Sequence, residues 1–219
     1  MLSDIKELDS IMTNKMKEIY RSKKEIQQFF KIQGILYLER TRIDWKPLIG
    51  KKLDQSPYFK TNKEEFKDLS RKYGDHIENC LMAPLYIKKV DDAIGYGVFA
   101  AEDICKDDFI GEYAGVVQIA DKLGDTDEDI SGYETDYTWY YLDEIKGGPA
   151  LEINGRLEGN ETRFINHSFD SNVDVEHTLH KGQWVIFFKA ARDILKDAQL
   201  LISYGEKYWE DDCRKLERV

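Results

Sequence analysis

Between Asn160 and Asn172, the stretch "RFINHS" sets a cation (Arg163), an amide (Asn166), an imidazole (His167) and a hydroxyl (Ser168) within six positions. Such a set can hydrogen-bond a polar ligand, or serve only as a polar turn between two strands. Two other kinds of segment carry related chemistry. "GYGVFA", Gly95 to Ala100, is a two-glycine turn entering a strand; glycine permits φ > 0 and lets backbone amides come close to a ligand. "EYAG" and "LLISYG" place Tyr113 and Tyr204 just before a small residue or glycine. Taken singly, a GxG is most often just a turn, and a tyrosine at a strand end is a core aromatic.

Other groupings fail on spacing. Asp125, Asp127 and Asp129 match the first, third and fifth ligands of a calcium loop, but Ile130 stands where that loop needs glycine and Asp136 where it needs glutamate. His177 and His180 are three apart, face opposite sides of a strand and have no cysteine nearby, so both are expected at the surface. Cys80, Cys105 and Cys213 form no CxxC or CxC pair. Neither a disulfide framework nor a cysteine zinc site is encoded, and no metal is expected.

Strands must position the reactive residues. After Pro84 the sequence turns to short β-type runs separated by Gly, Asp and Asn: "LYIKKV", "GVFAA", "FIGEYAGVVQI", "YTWYYL", "ALEING", "VDVEHTL", "QWVIFFKA" and "QLLISY". This texture predicts a mainly β domain and not βαβ repeats. Before it, Ile5, Leu8, Ile11, Met12, Met16, Ile19 and Tyr20 recur at helical spacing, and "TNKEEFKDLSRKYGDHIENCL" reads as a further helix capped at Thr61 or Asn62, with Gly74 near its stop. Residues 1–80 are expected to be a helical N-terminal region. The acidic stretch at about 119–136 is the expected exposed insertion.

In combination, "GYGVFAAEDICKDDFIGEYAG", "YTWYYLD", "LEINGRLEGNETRFINHSFDSN" and "FFKAARDILKDAQLLISYGEKYW" occur in an order and spacing similar to the SET domain, the fold of protein-lysine methyltransferases, over roughly residues 85–210. "RFINHS" followed by Asn172 resembles the family's NHS…PN signature. The resemblance implies a fold of small sheets in which the C-terminal segment threads beneath "RFINHS" as a pseudoknot. It implies S-adenosylmethionine as cofactor, against Gly95, Tyr96 and Gly97, held further by Arg163, Asn166 and His167, with Tyr208 or Trp209 covering the adenine. Tyr204 falls at the family's catalytic tyrosine position and Tyr113 is a second candidate at the reacting centre; Tyr113, Tyr137 or Tyr140, and Ile202 would line the substrate channel. A lysine has an ordinary pKa of about 10.4, so the site must favour the neutral amine before it can attack a sulfonium methyl. Desolvation and the adjacent positive charge both act that way, and a three-unit drop corresponds to about 4 kcal/mol.

The sequence departs from the family pattern in places. Phe169 stands at the position of the usual cysteine after NHS and no CxC follows, so a zinc-bound lid is not expected; the C-terminal aromatic and helical segment 205–219, or a second subunit, would close the site. Small zinc-free SET proteins of viruses and bacteria resemble the chain more closely, and in size it is similar to the chlamydial SET effectors. The family's "ELxxDY" reads "QLLISY": Gln199 and Ser203 replace the two acids, and Ile202 stands where a Phe or Tyr influences how many methyl groups are added.

Charge bears on the partner. Residues 1–90 hold 19 Lys and Arg against 13 Asp and Glu, net +6; residues 91–219 hold 13 against 29, net −16. Over a Debye length of about 8 Å so acidic a region attracts a lysine-rich protein, a histone or histone-like tail, and repels nucleic acid, which would find only the basic N-terminal region. Alternatives are methylation of a non-histone protein, or a non-catalytic scaffold, against which the retained Tyr204, Asn166 and His167 argue. A homodimer is a reasonable expectation because zinc-free relatives can dimerise. With no eighteen-residue apolar run and a charged N-terminus, the chain is expected to be soluble and intracellular, cytoplasmic or delivered to a nucleus.

Overall fold

A computed structural model describes residues 17–43, 53–119, 137–142 and 151–204; Trp209, residues 205–219 and most of the acidic stretch lie outside them. The chain is mostly β, built from small sheets with few helices. β12 (Val173–His180) and β13 (Gln183–Ala190) form a hairpin in register from Val173–Ala190 to His180–Gln183. Its two turn residues, Lys181 and Gly182, have φ of 48° and 80°, the left-handed pair that matches the twist of a tight hairpin. Residues Trp184 to Phe188 are all buried, as expected of a strand covered on both faces. β6 (Phe109–Glu112) flanks β13 on its other side.

A second sheet runs β3 (Arg42–Ile43), β7 (Val116–Ile119), β9 (Leu151–Asn154) and β8 (Thr138–Leu142). The run "FIGEYAGVVQI" is therefore two strands, not one. The chain leaves the β13 sheet at Tyr113 and joins β9 at Val116, with Gly115 at the bend; a Cβ there would lie 2.6 Å from Asn154 O. β4 (Leu85–Asp91) and β5 (Gly95–Ala100) make the third main pairing.

The N-terminal segment is woven into these sheets. β1 (Ile19–Tyr20) pairs with β4, β2 (Leu36–Tyr37) pairs in parallel with β10 (Glu158–Gly159), and β3 pairs in parallel with β7. Between β1 and β2 lies α1 (Lys23–Ile32), opened by a Ser22–Glu25 capping box and burying Ile26, Phe29 and Phe30.

α2 (Pro57–Thr61) and α3 (Lys63–Glu78) pack on the β12–β13 hairpin. Gly74 does not stop α3, which runs four residues further; it is buried where a Cβ would stand 2.6 Å from the His180 ring. The two histidines are likewise not free at the surface but partly covered. His177 stacks on Tyr58, lies tilted against Trp184 and bonds the Tyr58 hydroxyl at 2.7 Å, while His180 bonds Ser70 Oγ at 2.7 Å and Glu78 at 2.9 Å. Two helices covering the hairpin, which strand alternation could not foresee, leave both half-buried and hydrogen-bonded.

Candidate active site

The C-terminal segment runs between two older parts of the fold. On one side Leu200 N–H donates to Val98 O at 2.8 Å and Ala100 N–H to Ala198 O at 3.0 Å. On the other, β14 (Leu201–Ile202) pairs in parallel with β11 (Asn166–His167), Asn166 opposite Leu201 and His167 opposite Ile202. Asn172 closes the crossing: its side chain donates to Gln199 O and accepts from Leu201 N–H, each at 2.8 Å. The crossing thus joins "GYGVFA", "RFINHS" and "LLISY" at one junction.

At that junction the Tyr204 hydroxyl donates to Ile165 O at 2.9 Å and its backbone N–H donates to His167 Nδ1 at 3.1 Å. With its proton directed to a fixed carbonyl, the Tyr204 oxygen can act towards a ligand as an acceptor. The bond to Nδ1 requires His167 to be neutral with its proton on Nε2, and burial holds its pKa below the ordinary 6.5. Asn166 Nδ2 donates to Tyr96 O at 3.2 Å, linking β11 to β5. Gly97 is tight here, since a Cβ would lie 2.6 Å from Gln199 Nε2 and 3.0 Å from Asn166 Nδ2. Gly95, at φ +80°, has open space in the same direction. Ile202, 2% exposed, lies beneath the crossing.

A second cluster sits behind it. Tyr113 is buried, its hydroxyl donating to Tyr137 O at 2.6 Å; the same carbonyl accepts Gly155 N–H at 2.8 Å. Burial drives the Tyr113 pKa far up, and the nearby Tyr204 phenol adds to this. Arg163 places Nε on Gly155 O at 2.8 Å and Nη2 on Arg156 O at 3.1 Å, with the Tyr137 ring 4.0 Å from its guanidinium carbon. Desolvation lowers the Arg163 pKa. The geometry therefore gathers Gly95, Tyr96, Gly97, Asn166, His167, Ile202 and Tyr204 at the crossing, and Tyr113, Tyr137 and Arg163 behind it. Tyr140 stands apart, 75% exposed on β8.

In the sequence Asn160 is only a flank of "RFINHS" and Asn172 only the last residue of the signature it resembles; neither shows a bonding partner there. Asn160, fully buried, donates to Glu112 O at 2.8 Å and accepts the Thr162 hydroxyl at 2.6 Å, fixing the turn that presents Arg163. Buried amides that bridge main-chain groups carry no periodic signal; their partners are known only once the chain is folded.

The SET domain profile matches residues 95–205, just over half of the chain, and the chain belongs to the SET domain family. It is 31% identical over 129 residues to histone-lysine N-methyltransferase EZH2 of Chaetomium thermophilum, covering 58% of this chain and 8% of that protein. To histone-lysine N-methyltransferase EHMT1 of Mus musculus it is 32% identical over 139 residues, covering 61% of this chain and 10% of that one. To the probable histone-lysine N-methyltransferase set-23 of Caenorhabditis elegans it is 33% identical over 130 residues, covering 57% and 51%. The chain thus matches only a tenth or less of the first two relatives. An active polycomb repressive complex 2 in the stimulated state superposes with a TM-score of 0.51 at 26% identity, over 70% of this chain and 20% of that one. ATXR5 in complex with mono-methylated histone H3.1 gives 0.59 at 20% identity over 83% and 86%, a likeness of fold. Among the described residues no helix is long and apolar enough to cross a membrane, and no group of three His, Cys, Asp or Glu could hold a metal ion.

Proposed function

We propose that this chain is a protein-lysine N-methyltransferase that uses S-adenosylmethionine and acts on a basic protein, a histone or histone-like tail. The observation that carries the reading is the crossing, which brings Asn166 against the backbone of Tyr96 and Gly97 and Tyr204 against His167, the next residue of β11. The cradle fits the cofactor: at Gly97 a Cβ would press on Asn166 and Gln199, while Gly95 borders open space. Gly95, Tyr96, Gly97, Asn166 and His167 would hold it, Arg163 acting through the main chain of Gly155 and Arg156. When bound, the group supplies an electrophilic methyl on a sulfonium. Tyr204, with its proton on Ile165 O, orients the reacting centre through its oxygen. Desolvation beside the buried Tyr113, with the Arg163 guanidinium on the Tyr137 ring as a nearby positive charge, would favour the neutral form of a lysine. The net −16 of residues 91–219 supports a basic partner.

The test is incubation with S-adenosylmethionine carrying a labelled methyl group and a mixture of core histones and a bacterial histone-like protein. Label on one basic protein, incorporated about a hundredfold more slowly with Tyr204→Phe, supports the reading. Cofactor binding without label transfers weight to a non-histone target or a scaffold.

Three predictions belong to this site. Asn166→Ala removes the link to Tyr96 O and a polar group of the cradle, so cofactor affinity is expected to fall about tenfold or more; isothermal titration matching the parent would remove Asn166 from the site. Ile202 brings no phenol that could anchor a water, so exhaustive reaction is expected to pass the monomethyl stage, and mass spectra with monomethyl-lysine alone would contradict this. Because folding lowers the His167 pKa, its contribution to stability is complete above the unfolded value near 6.5 and is lost as pH falls towards the folded value. NMR of the imidazole nitrogens should show the Nε2–H tautomer at neutral pH and titration below 6.5; a charged ring at pH 7 would refute the assignment.

A further inference from the structure

Residues 17–37 lie outside the matched segment, yet they pack against both walls of the cradle. The Tyr96 side chain turns towards them: its hydroxyl donates to Lys17 O at 3.1 Å, and its ring lies 4.7 Å from Phe29 and 6.2 Å from Tyr20. Phe29, fully buried, also lies 5.3 Å from Phe164, two residues before Asn166. One ring thus touches a residue of β5 and a residue leading into β11, two segments that the bond from Asn166 Nδ2 to Tyr96 O also links. The same stretch of chain reaches these walls twice more. β1 extends the β4–β5 sheet from behind, and β2 pairs with β10 just ahead of Asn160.

We propose that Phe29 is a positioning residue for the cofactor site: its ring sets the spacing between the Tyr96 and Asn166 backbones, so α1 belongs to the site's machinery. The idea rests on the cofactor reading above. Aromatic packing of this kind resists small displacements, because protein cores are close-packed and a lost ring leaves a gap that neighbours enter. A cradle displaced by a fraction of an ångström loses complementarity to its ligand.

The experiment compares the full chain with Phe29→Leu, and with Phe29→Met as the milder change. The control is Phe109→Leu, in a separate buried cluster with Tyr73 and Phe187. Affinity for S-adenosylhomocysteine is measured by titration, KM for S-adenosylmethionine and kcat by turnover, and backbone exchange at Gly95–Gly97 by mass spectrometry. With Phe29→Leu, Kd and cofactor KM are expected to rise about ten- to a hundredfold with kcat within about threefold, and exchange at Gly95–Gly97 to quicken. Phe109→Leu should match its loss of Tm and leave Kd alone. Parent-like Kd in Phe29→Leu and Phe29→Met, or an equal loss in the control, overturns the proposal while leaving the cofactor reading intact. A parent that binds no S-adenosylhomocysteine overturns the cofactor reading and this inference with it.

Discussion

Tyr204→Phe is expected to lower kcat about a hundredfold while cofactor affinity stays within about threefold of the parent. The substitution keeps the ring that tilts against His167 at 5.3 Å and keeps the backbone N–H that donates to His167 Nδ1. It removes one oxygen, which is fixed by donation to Ile165 O. Without it the reacting centre loses an acceptor of defined direction, and Ile165 O loses a donor. That second effect costs about 1–3 kcal/mol of stability, roughly 2–12 °C in Tm for a domain of this size. Turnover is therefore measured well below the variant's own melting transition, alongside titration with S-adenosylmethionine. A variant that turns over like the parent would show that the Tyr204 hydroxyl serves only the fold.

The longer strands of the β region are legible because runs of β-branched and aromatic residues bounded by turn residues mark them, as in the eight-residue strands β12 and β13. The two-residue strands are not. Ile19–Tyr20, Leu36–Tyr37 and Arg42–Ile43 are too short to carry a period, and each pairs with a partner dozens of residues away. The same limit hides the end of β6 at Glu112, since "FIGEYAGVVQI" can pass for one strand; only the approach of Asn154 O shows why Gly115 must bend. Gly74 misled in the opposite sense, because a glycine inside a helix reads as a stop until a His180 ring is found against it.

The site was legible in another way. Residue types alone leave "RFINHS" open between a turn and a binding segment; the family resemblance implies a crossing at that segment, and β14 does pair with β11 there. What neither supplied was the split between the two clusters. Arg163 reads as a ligand-binding cation, but a guanidinium has five donors, and here two of its nitrogens bond the backbone of residues 155 and 156. Its neighbour Asn166 makes one long bond, to Tyr96 O at 3.2 Å, at the mouth of the cradle. Their difference in environment arises from a single turn of 3-10 helix, Glu161–Phe164, that sends one side chain inwards.

Asn172→Ala is expected to be the most destabilising single substitution of a polar group at the crossing. The Asn172 side chain is 9% exposed and satisfies Gln199 O and Leu201 N–H at once, each at 2.8 Å. Alanine leaves both main-chain groups without that partner in a place water reaches poorly. At about 1–3 kcal/mol for each unsatisfied group the loss is about 2–6 kcal/mol, against a total of about 5–15 kcal/mol for a typical domain. Asn172→Asp separates the two contacts. A carboxylate still accepts from Leu201 N–H but meets Gln199 O with no proton to offer, so at neutral pH this variant should lose as much as alanine or more. Denaturant unfolding of the three proteins gives the comparison directly. The crossing also predicts where the damage falls: backbone exchange should quicken at Leu201 and Ile202 and at their partners Asn166 and His167, ahead of the β12–β13 hairpin. If Asn172→Ala unfolds with the parent's midpoint, the threaded segment is held by its strand pairing alone, and Tyr204 owes its place to β14 and not to the amide beneath it.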